Sequence, residues 1–396
     1  MKTGIVEKII NGGWGLVRSP EGVVFLNYVL PGEEVTYKIR ERARGILWGD
    51  VLGILTPVEH REHRVEAPCP YYGQCGGCVF QHIDYRYQET IKREILKDDL
   101  RRIGHYEGEL PGVHVSPPYQ NRIRARMKAQ EDGKIGFIRK STNRVIPING
   151  CLLFPDSINL FLEKWNRLEN PPFFHQMDIL FNRDNQRVYI YLSHPPKKEQ
   201  EVLKSFPEIT FSWKGNEQAA ESCLTIKDYR YRVSPDAFFQ VNPYQWENML
   251  KIVESYQELC ETAIDLYSGV GFFIPLLKKY ARKVIGVESD GHAVTLAQRA
   301  FPGEGLEFFK TAAEKFHFFK ADVMVLDPPR SGIAKPVMKG ILAKKYPKII
   351  YISCSPAAFS RDMAVLRDNG YQLEDIQLLD LFPQTAHLET ISLFSL

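Results

Sequence analysis

The sequence has no long apolar run, since none of its stretches approaches the roughly 18 apolar residues of a membrane-spanning helix. Residues 1–8 also lack the apolar segment of a secretory signal. There is little net charge, with 51 Lys and Arg against 48 Asp and Glu. This balance excludes a uniformly cationic nucleic-acid coat but leaves room for a local basic face. We expect a monomer in the reducing cytoplasm, without a membrane segment.

Compositional bias is absent too, because neither glycine nor proline is enriched and hydrophobic residues make up 44% of the chain. A disordered or collagen-like chain is therefore excluded. At roughly 150 residues per domain, 396 residues predict two to three domains. The seven cysteines are an odd number. In a reducing compartment, clustered cysteines bind metal or do chemistry more often than they form disulfides.

Three regions differ in their pattern. Residues 1–58 contain short β-type runs separated by Gly and Pro turns, which predicts a small barrel. Its turn at 30–33 and basic strand end at 38–44 resemble a TRAM domain, an OB-like RNA-binding module. Residues 59–235 are mostly strand-like and predict a central, mostly antiparallel β domain with a hairpin turn at 182–186. In residues 236–396 strands alternate with helices, which predicts a doubly wound, Rossmann-like α/β domain.

Four cysteines form a candidate metal site. Cys69, Cys75 and Cys78 follow the pattern Cys-x5-Cys-Gly-Gly-Cys, and Cys151 lies in a separate turn. The two glycines let the loop bend so that its thiolates converge on one centre, which a distant fourth ligand closes. Because the spacing is not the repeated Cys-x2-Cys of a zinc ribbon, it favours a [4Fe–4S] cluster. Zinc and unligated buried thiols are the alternatives.

A glycine loop opens the C-terminal region. Residues 265–271 read Asp-Leu-Tyr-Ser-Gly-Val-Gly at the end of a predicted strand, where glycines let a ligand approach the backbone. The third glycine of a dinucleotide-binding loop is missing, which disfavours a dinucleotide. The next predicted strand ends in Glu288, about 20 residues on, where a carboxylate can accept both ribose hydroxyls. This combination is typical of S-adenosylmethionine methyltransferases, and a plain tight turn is the alternative.

Three further residues stand at predicted strand ends. Asp327 ends a buried strand in Asp-Pro-Pro-Arg, Cys354 follows another strand, and Glu389 lies at the entry to the last one. Doubly wound folds bind ligands at the carboxyl edge of the sheet, where a thiol can act as a nucleophile. A core cysteine is the alternative for Cys354. We expect Cys223 and Cys260, which have apolar neighbours, to be core residues.

In combination, these motifs resemble the RNA 5-methyluridine (uracil-C5) methyltransferases, in the form that carries a TRAM domain and an iron–sulfur cluster. The resemblance covers most of the chain, and the motifs occur in the family's order. They are the cysteine pattern, Phe-Phe-Gln-Val-Asn at 238–242, the loop at 265–271, Asp-Pro-Pro-Arg at 327–330, Ser-Cys-Ser-Pro at 353–356 and His-Leu-Glu-Thr at 387–390. Each motif is short, but their joint presence in this order is highly specific.

The resemblance implies methyl transfer from S-adenosylmethionine to carbon 5 of a uridine in RNA. Cys354 would add to carbon 6 of the uracil, and Glu389 would remove the proton from carbon 5. The residues that match the family's cofactor-binding positions are Gln240, Tyr267, Glu288 and Asp327. Because the thiolate is the reactive form, we expect nearby cations or amides to lower the pKa of Cys354.

The RNA partner is less closely specified. The TRAM-like barrel and the cysteine pattern favour 23S ribosomal RNA, and transfer RNA is the second candidate. The basic stretch from Arg122 to Arg144 predicts a contact with the RNA backbone. A non-catalytic RNA-binding protein with a degenerate methyltransferase domain is the alternative from another class. A cytosine-C5 enzyme is disfavoured, because the Asp-Pro-Pro turn lacks the cysteine that such enzymes usually carry there.

Overall fold

The computed structural model of the protein describes residues 1–57, 62–140, 142–196, 202 and 204–396. Its first five strands close into a barrel in the order β1-β2-β3-β5-β4. They are β1 (Lys2–Ile10), β2 (Trp14–Ser19), β3 (Gly22–Leu26), β4 (Glu34–Ala43) and β5 (Ile46–Ile54). Alternate residues point inward, so Val6, Val17, Val24 and Tyr37 form a buried core. The predicted N-terminal barrel is confirmed.

A helix joins the barrel to the C-terminal part of the chain. The elements of this segment are α1 (Tyr85–Arg102) and β6 (Val113–His114). The apolar face of α1 is shared between two cores. Ile91 and Ile95 pack in the barrel core, whereas Leu96 and Leu100 pack in a core of the C-terminal sheet. The helix therefore fixes the barrel against the C-terminal sheet.

The central region forms a six-stranded sheet in the order β12-β11-β10-β7-β8-β9. Its elements are β7 (Arg124–Ala129), β8 (Ile135–Ile138), β9 (Val145–Pro147), α2 (Asp156–Asn166), β10 (Gln176–Asn182), β11 (Arg187–Leu192) and β12 (Ile209–Trp213). All neighbours are antiparallel except β11 and β12. The turn at 182–186 joins β10 to β11, as predicted. Phe161 and Trp165 of α2 are buried in the core of this region.

The C-terminal region carries an eight-stranded sheet in the order β17-β16-β15-β18-β19-β21-β20-β6. A hairpin, β13 (Ser222–Ile226) and β14 (Tyr229–Val233), precedes it. The sheet strands are β15 (Cys260–Leu266), β16 (Ala281–Glu288), β17 (Leu306–Lys310), β18 (Val323–Leu326), β19 (Lys348–Ser353), β20 (Gln372–Leu379) and β21 (Glu389–Ser395). The helices are α3 (Trp246–Ser255), α4 (Ile274–Tyr280), α5 (Gly291–Ala300), α6 (Lys335–Lys344) and α7 (Pro356–Asp368). Strands β15 to β19 are mutually parallel, and β21 inserts antiparallel between β19 and β20.

Helices cover both faces of this sheet. Successive strand residues point to opposite sides, so Ile264 and Met324 lie in one core while Ala263 and Val325 lie in the other. Helices α6 and α7 pack in the first core, and α3, α4 and α5 pack in the second. The predicted doubly wound architecture is confirmed.

The predicted division into 1–58, 59–235 and 236–396 stays a prediction, and its first boundary falls outside the described residues. One strand crosses the second boundary. β6, from the region assigned to the central domain, pairs in parallel with β20 of the C-terminal sheet. Two residues are too few to show an alternating pattern, so the sequence did not reveal this strand. Within the described residues, no helix is long and apolar enough to cross a membrane.

Candidate active site and cysteine cavity

A cavity of about 720 Å³ opens where the central strands of the C-terminal sheet end. This size suits a small-molecule ligand. All six residues that the sequence predicts for catalysis and cofactor binding line the cavity. They are Gln240, Tyr267, Glu288, Asp327, Cys354 and Glu389. The sheet topology therefore brings together motifs that lie far apart in the sequence, at the edge where doubly wound folds bind ligands.

The glycine loop between β15 and α4 bends sharply. Tyr267, Gly269 and Gly271 have φ values of +68°, +54° and +85°, in the left-handed region. The φ of Gly271 favours glycine, and a Cβ there would also lie tightly, at 3.2 Å, against the side chains of Ile274 and Phe301. The amides of Gly269 and Asp290 donate to the two carboxylate oxygens of Glu288 at 3.0 Å and 2.7 Å. These bonds fix the Glu288 carboxylate, whose free lone pairs can accept ribose hydroxyls.

Asp327 and Gln240 are joined inside the cavity. Gln240 Nε2 donates to Asp327 Oδ2 at 3.0 Å, and the indole Nε1 of Trp246 donates to the backbone carbonyl of Gln240 at 3.0 Å. Burial raises the pKa of Asp327 above its ordinary value, and the bond from Gln240 opposes this shift. The pair offers both donors and acceptors, which suits a nucleobase edge or a polar cofactor group.

Asp265, at the end of β15, is a buried carboxylate without a partner. Neither of its oxygens has a hydrogen bond, and the nearby Ser268 Oγ has none either. Burial, together with the negative charges of Asp327 and Glu288, raises the pKa of Asp265 far above its usual range. An orphaned acid in a cavity wall is complementary to a cationic donor. The α-ammonium group of S-adenosylmethionine is such a donor, so the residues fit this cofactor.

Cys354 and Glu389 lie side by side because of the antiparallel insertion of β21. Ser353 pairs with Thr390, which places Cys354 opposite Glu389 at the next position along the strands. The Thr390 hydroxyl donates to the Ser353 carbonyl at 3.3 Å and reinforces this register. A thiol and a carboxyl group thus face one cavity from adjacent strands, as a nucleophile and a base acting on one ring would require.

The expectation that the pKa of Cys354 is lowered is wrong for the free protein. Burial and the negative charges of Glu389 and Asp327 raise the pKa of Cys354 to about 12, and the positive charge of Arg330 offsets only part of this shift. Burial, and then Asp327, also raise the pKa of Glu389 well above its ordinary value. Arg330 lies exposed in the cavity lining, where solvent weakens its effect. The sequence predicts this thiol and both acids at one site, but not the burial that raises the pKa of Cys354.

A second cavity, of about 460 Å³, is lined by all four cysteines of the predicted metal site. They are Cys69, Cys75, Cys78 and Cys151. Burial raises the pKa of Cys75 to about 11 and that of Cys151 to about 12, and neighbouring thiols add to both shifts. The Gly77 amide donates to Cys75 Sγ at 3.4 Å, as an amide does to a thiolate ligand. The predicted gathering of four thiols is therefore present.

A metal ion is not confirmed in this second cavity. Among the described residues, no three His, Cys, Asp or Glu side chains are arranged to hold a single ion. The two cysteines predicted as core residues, Cys223 and Cys260, lie outside both cavities and are only half-buried. Cys260 begins β15 and packs at the edge of a core, while Cys223 lies in the β13 hairpin.

The predicted basic RNA surface between Arg122 and Arg144 needs a correction. Arg122 and Arg124 line the cysteine cavity, and Arg124 donates to the carbonyls of Phe239 and Pro235 at 3.1 Å and 2.7 Å. Both side chains are half-buried, and the two bonds of Arg124 hold its guanidinium group inward. The members of the stretch that remain exposed are Arg126, Arg139 and Arg144.

Comparisons with known proteins agree with this geometry. A sequence model of the tRNA (uracil-5-)-methyltransferase family matches residues 303–395. An RNA methyltransferase of Aquifex aeolicus is 31% identical over 98% of this chain and 97% of its own length. The chain belongs to the RNA uracil-C5 methyltransferase family. Another relative of this methyltransferase, an RNA methyltransferase of Halalkalibacterium halodurans, is 28% identical over 99% of this chain and 96% of its own length.

The methyltransferase also shares its fold with a solved structure. The tRNA (uracil-54, C5)-methyltransferase of Pyrococcus abyssi, bound to S-adenosyl-L-homocysteine, matches with a TM-score of 0.76 and 23% identity. The match covers 99% of this chain and 100% of the Pyrococcus chain. The two proteins therefore share one architecture from the barrel to the last strand.

Two polar residues of the methyltransferase site have no role predicted from the sequence. Asp265 appears there only as the first residue of the glycine loop, and Arg330 only as the last residue of the Asp-Pro-Pro-Arg turn. A charged residue directly after the buried pair Ala263 and Ile264 was the available signal for Asp265. Nothing in the sequence around Arg330 indicates that it lowers the pKa of Cys354. This effect depends on the folded sheet, which brings the ends of two strands together.

We expect the thiol of Cys354 in the free methyltransferase to react slowly at neutral pH. Because its pKa is raised to about 12, its alkylation rate should rise about tenfold per pH unit from pH 7 to 9 without a plateau. Iodoacetamide labelling read by peptide mass spectrometry measures this rate for each cysteine separately.

The variant Arg330→Gln should slow the alkylation of Cys354 further, because it removes the positive charge that favours the thiolate. Lys335→Gln is the matched control, since Lys335 is exposed nearby but does not line the cavity, and it should leave the rate unchanged. A plateau near pH 7 in the wild type would contradict the raised pKa.

Proposed function

We propose that the protein methylates carbon 5 of a specific uridine in RNA through a covalent bond between Cys354 and carbon 6 of the uracil. One observation carries the proposal. Cys354 and Glu389 face each other across β19 and β21 in the same cavity as the predicted cofactor-binding residues. A thiol and a carboxyl group in this arrangement can add to one ring position and remove a proton from the next.

We assign contacts with S-adenosylmethionine to residues in one half of the cavity. S-adenosylmethionine supplies the methyl group when bound. Glu288 accepts hydrogen bonds from the ribose hydroxyls, and Asp265 accepts from the α-ammonium group. Tyr267 lies in the loop that contacts the cofactor. Asp265, Glu288 and Asp327 give this wall several oxygen acceptors, which are complementary to the ammonium and hydroxyl donors of the cofactor.

The chemistry of the other half runs through Cys354 and Glu389. The Cys354 thiolate adds to carbon 6 of the uracil, and the electrons pass to the ring, which becomes a nucleophile at carbon 5. After carbon 5 has taken the methyl group, Glu389 removes the proton from that carbon. The electron pair of the broken C–H bond re-forms the ring double bond and expels Cys354, which restores the thiolate.

Formation of the Cys354 thiolate limits this reaction in the free protein. A group with a pKa of about 12 is ionised in only about one molecule in 10⁵ at pH 7. Arg330 is the positive group of the site that lowers the pKa of Cys354. Its guanidinium stabilises the thiolate that the addition requires, more strongly once substrate excludes water from the cavity.

Aromatic side chains near the opening can receive a flipped-out uracil. Phe238 lines the cavity with 59% of its surface exposed, and Arg124 lies over its ring with 5.8 Å between the guanidinium carbon and the ring centroid. Phe382 lines the cavity from the side of β21. An enzyme that acts on carbon 5 of a paired base must take the base out of the helix, and a half-exposed ring offers a surface for stacking.

The proposed substrate is 23S ribosomal RNA. The support is the presence of a TRAM-like barrel and a four-cysteine cavity in one chain, which is an argument from family resemblance. Transfer RNA is the second candidate, favoured by the name of the matching family and by the Pyrococcus enzyme of the same architecture. The RNA that lacks 5-methyluridine in cells without the protein identifies the substrate.

The cysteine cavity is the proposed site of a [4Fe–4S] cluster. Cys69, Cys75, Cys78 and Cys151 would hold it through their thiolates. The support for this proposal is that four thiols line one cavity, which is the ligand set that such a cluster takes. Methyl transfer needs no electron from this group, so its proposed role is to order the segment 69–82.

We expect RNA that contains 5-fluorouridine to trap the wild-type protein in the presence of S-adenosylmethionine. Fluorine at carbon 5 cannot leave as a proton, so the adduct persists and migrates as a covalent complex on a denaturing gel. Cys354→Ala should form no complex. Glu389→Gln should lower kcat about 10²–10⁴-fold and accumulate the complex with ordinary uridine RNA, because the carbon 5 proton stays in place.

Cys223→Ala is the control for this experiment, because Cys223 lies outside both cavities. It should form the fluorouridine complex as the wild type does. A complex that survives in Cys354→Ala would contradict the assigned nucleophile. No complex with either class of RNA would favour the non-catalytic RNA-binding protein.

The RNA substrate is tested by mapping 5-methyluridine in cells that lack the gene. We expect one 5-methyluridine to disappear from 23S ribosomal RNA and to return when the wild-type gene, but not Cys354→Ala, is restored. Loss from transfer RNA alone would reject ribosomal RNA and support the second candidate.

Anaerobically purified protein should contain about four iron and four sulfide per chain. Cys151→Ser should lose most of this iron, because it removes the ligand that closes the site. Cys260→Ser is the matched control and should keep it, since Cys260 lies at the start of β15, away from the cavity. Zinc without sulfide in the wild type would contradict the cluster.

A further inference from the structure

The loop between β20 and β21, residues 380–388, forms one side of the active-site cavity. Its first residue follows Leu379, which pairs with Glu389 at the point where the two strands separate. Leu381 and Phe382 of this loop line the cavity together with Glu389. The position of the loop therefore determines where the proposed base and one aromatic wall face the uracil.

A buried ion pair holds the start of this loop. Lys92 Nζ, on α1, donates to Asp380 Oδ1 at 2.6 Å and to the Phe382 carbonyl at 3.1 Å. Both side chains are fully buried, and Tyr85 OH donates to the other oxygen of Asp380 at 3.0 Å. A buried pair is favourable only when its hydrogen bonds are met, and here both carboxylate oxygens are used. Neither Lys92 nor Asp380 lines the active-site cavity.

Gln384 ties the middle of the loop to α1 and to the cysteine segment. Gln88 Nε2 donates to Gln384 Oε1 at 3.0 Å, and Gln88 Oε1 accepts from the backbone amide of Gln384 at 3.1 Å. The amides of Val79 and Phe80, just after Cys78, donate to the Gln384 carbonyl at 3.0 Å and 3.1 Å. Gln384 has a φ of +66°, an unfavourable value for glutamine that these four bonds hold in place.

A third contact comes from the motif that carries Gln240. Asn242 Nδ2 donates to the Leu381 carbonyl at 3.2 Å and to Ser116 Oγ at 2.9 Å. The Ser116 hydroxyl in turn donates to the Asp380 carbonyl at 3.1 Å. Contacts from four separate segments of the chain, namely α1, residues 79–80, Ser116 and Asn242, thus converge on one short loop. Helix α1 does not need these hydrogen bonds for its own packing, because its apolar face is already buried in two cores.

We propose that Lys92 and Asp380 are positioning residues of the methyl-transfer reaction, which hold the loop 380–388 so that Glu389 and Phe382 face the uracil. This inference rests on the proposed function, because it assigns Glu389 the removal of the carbon 5 proton. Lys92 touches no reacting atom, and its ammonium is already bonded to Asp380 and to the Phe382 carbonyl. Loss of the pair should therefore impair the step that needs Glu389 more than cofactor binding, which uses residues on other loops.

The test compares Lys92→Met, Asp380→Asn and Tyr85→Phe with Lys97→Met, an exposed lysine on the same helix. The full-length proteins are assayed with uridine RNA and S-adenosylmethionine. For Lys92→Met we expect kcat to fall about 10–100-fold, the loss that a small misplacement of a reacting group produces. The fraction of protein covalently bound to RNA during turnover should rise above that of wild type, because release is the slowed step. The Kd of S-adenosylmethionine should stay within about twofold of wild type, a change of less than about 0.5 kcal/mol.

Tyr85→Phe keeps the ion pair and removes only the hydroxyl that contacts Asp380 and the backbone of Ser116. It should therefore show a smaller loss in the same direction, and it decides the case if Lys92→Met does not fold. Equal kcat and covalent fraction in these variants and in Lys97→Met would overturn the inference. A parallel loss of kcat and cofactor affinity, without covalent complex, would also overturn it, since a general structural defect acts in that way. Absence of the fluorouridine complex in the wild type would instead reject the proposed function itself.

Discussion

Burial of several acids around one thiol is the constraint on which the rest of the site depends. Asp265 and Glu389 are buried and Asp327 is half-buried at the carboxyl edge of one sheet. Burial raises the pKa of all three carboxyl groups, and the charge of Asp327 adds to the shifts of the other two. Burial, followed by the charges of Glu389 and Asp327, also raises the pKa of Cys354 in the free protein. A pocket of this kind is complementary to a cationic ligand, and its thiol has low reactivity at neutral pH.

Much of this site could be predicted because strand ends have a fixed place in a doubly wound fold. Asp327, Glu288 and Cys354 each follow a buried strand, so their meeting at one edge follows from parallel topology alone. The pairing of Cys354 with Glu389 did not follow, since it depends on the insertion of the last strand between β19 and β20. Family resemblance supplied that link before the geometry did.

Features that depend on unlike segments meeting in space were out of reach of the sequence. Arg122 and Arg124 alternate with core residues as an exposed strand face would, yet both are half-buried and line the cavity of the four cysteines. Lys92 lies among the basic residues of α1, and nothing in the helix pattern distinguishes it from Lys97 before Asp380 is seen beside it. Arg122 lies between the two cavities. It lines the cysteine cavity, and its guanidinium carbon is 5.8 Å from the ring centroid of Phe382, which lines the active-site cavity.

In the proposed reaction the methyl group replaces the hydrogen on carbon 5 of uracil. RNA that carries tritium at carbon 5 of its uridines, together with a cofactor that has a labelled methyl group, makes this replacement measurable. Replacement at carbon 5 predicts one tritium released to water for each methyl group incorporated, and neither event in Cys354→Ala. Methyl incorporation without release of tritium would place the methyl group elsewhere and contradict the account.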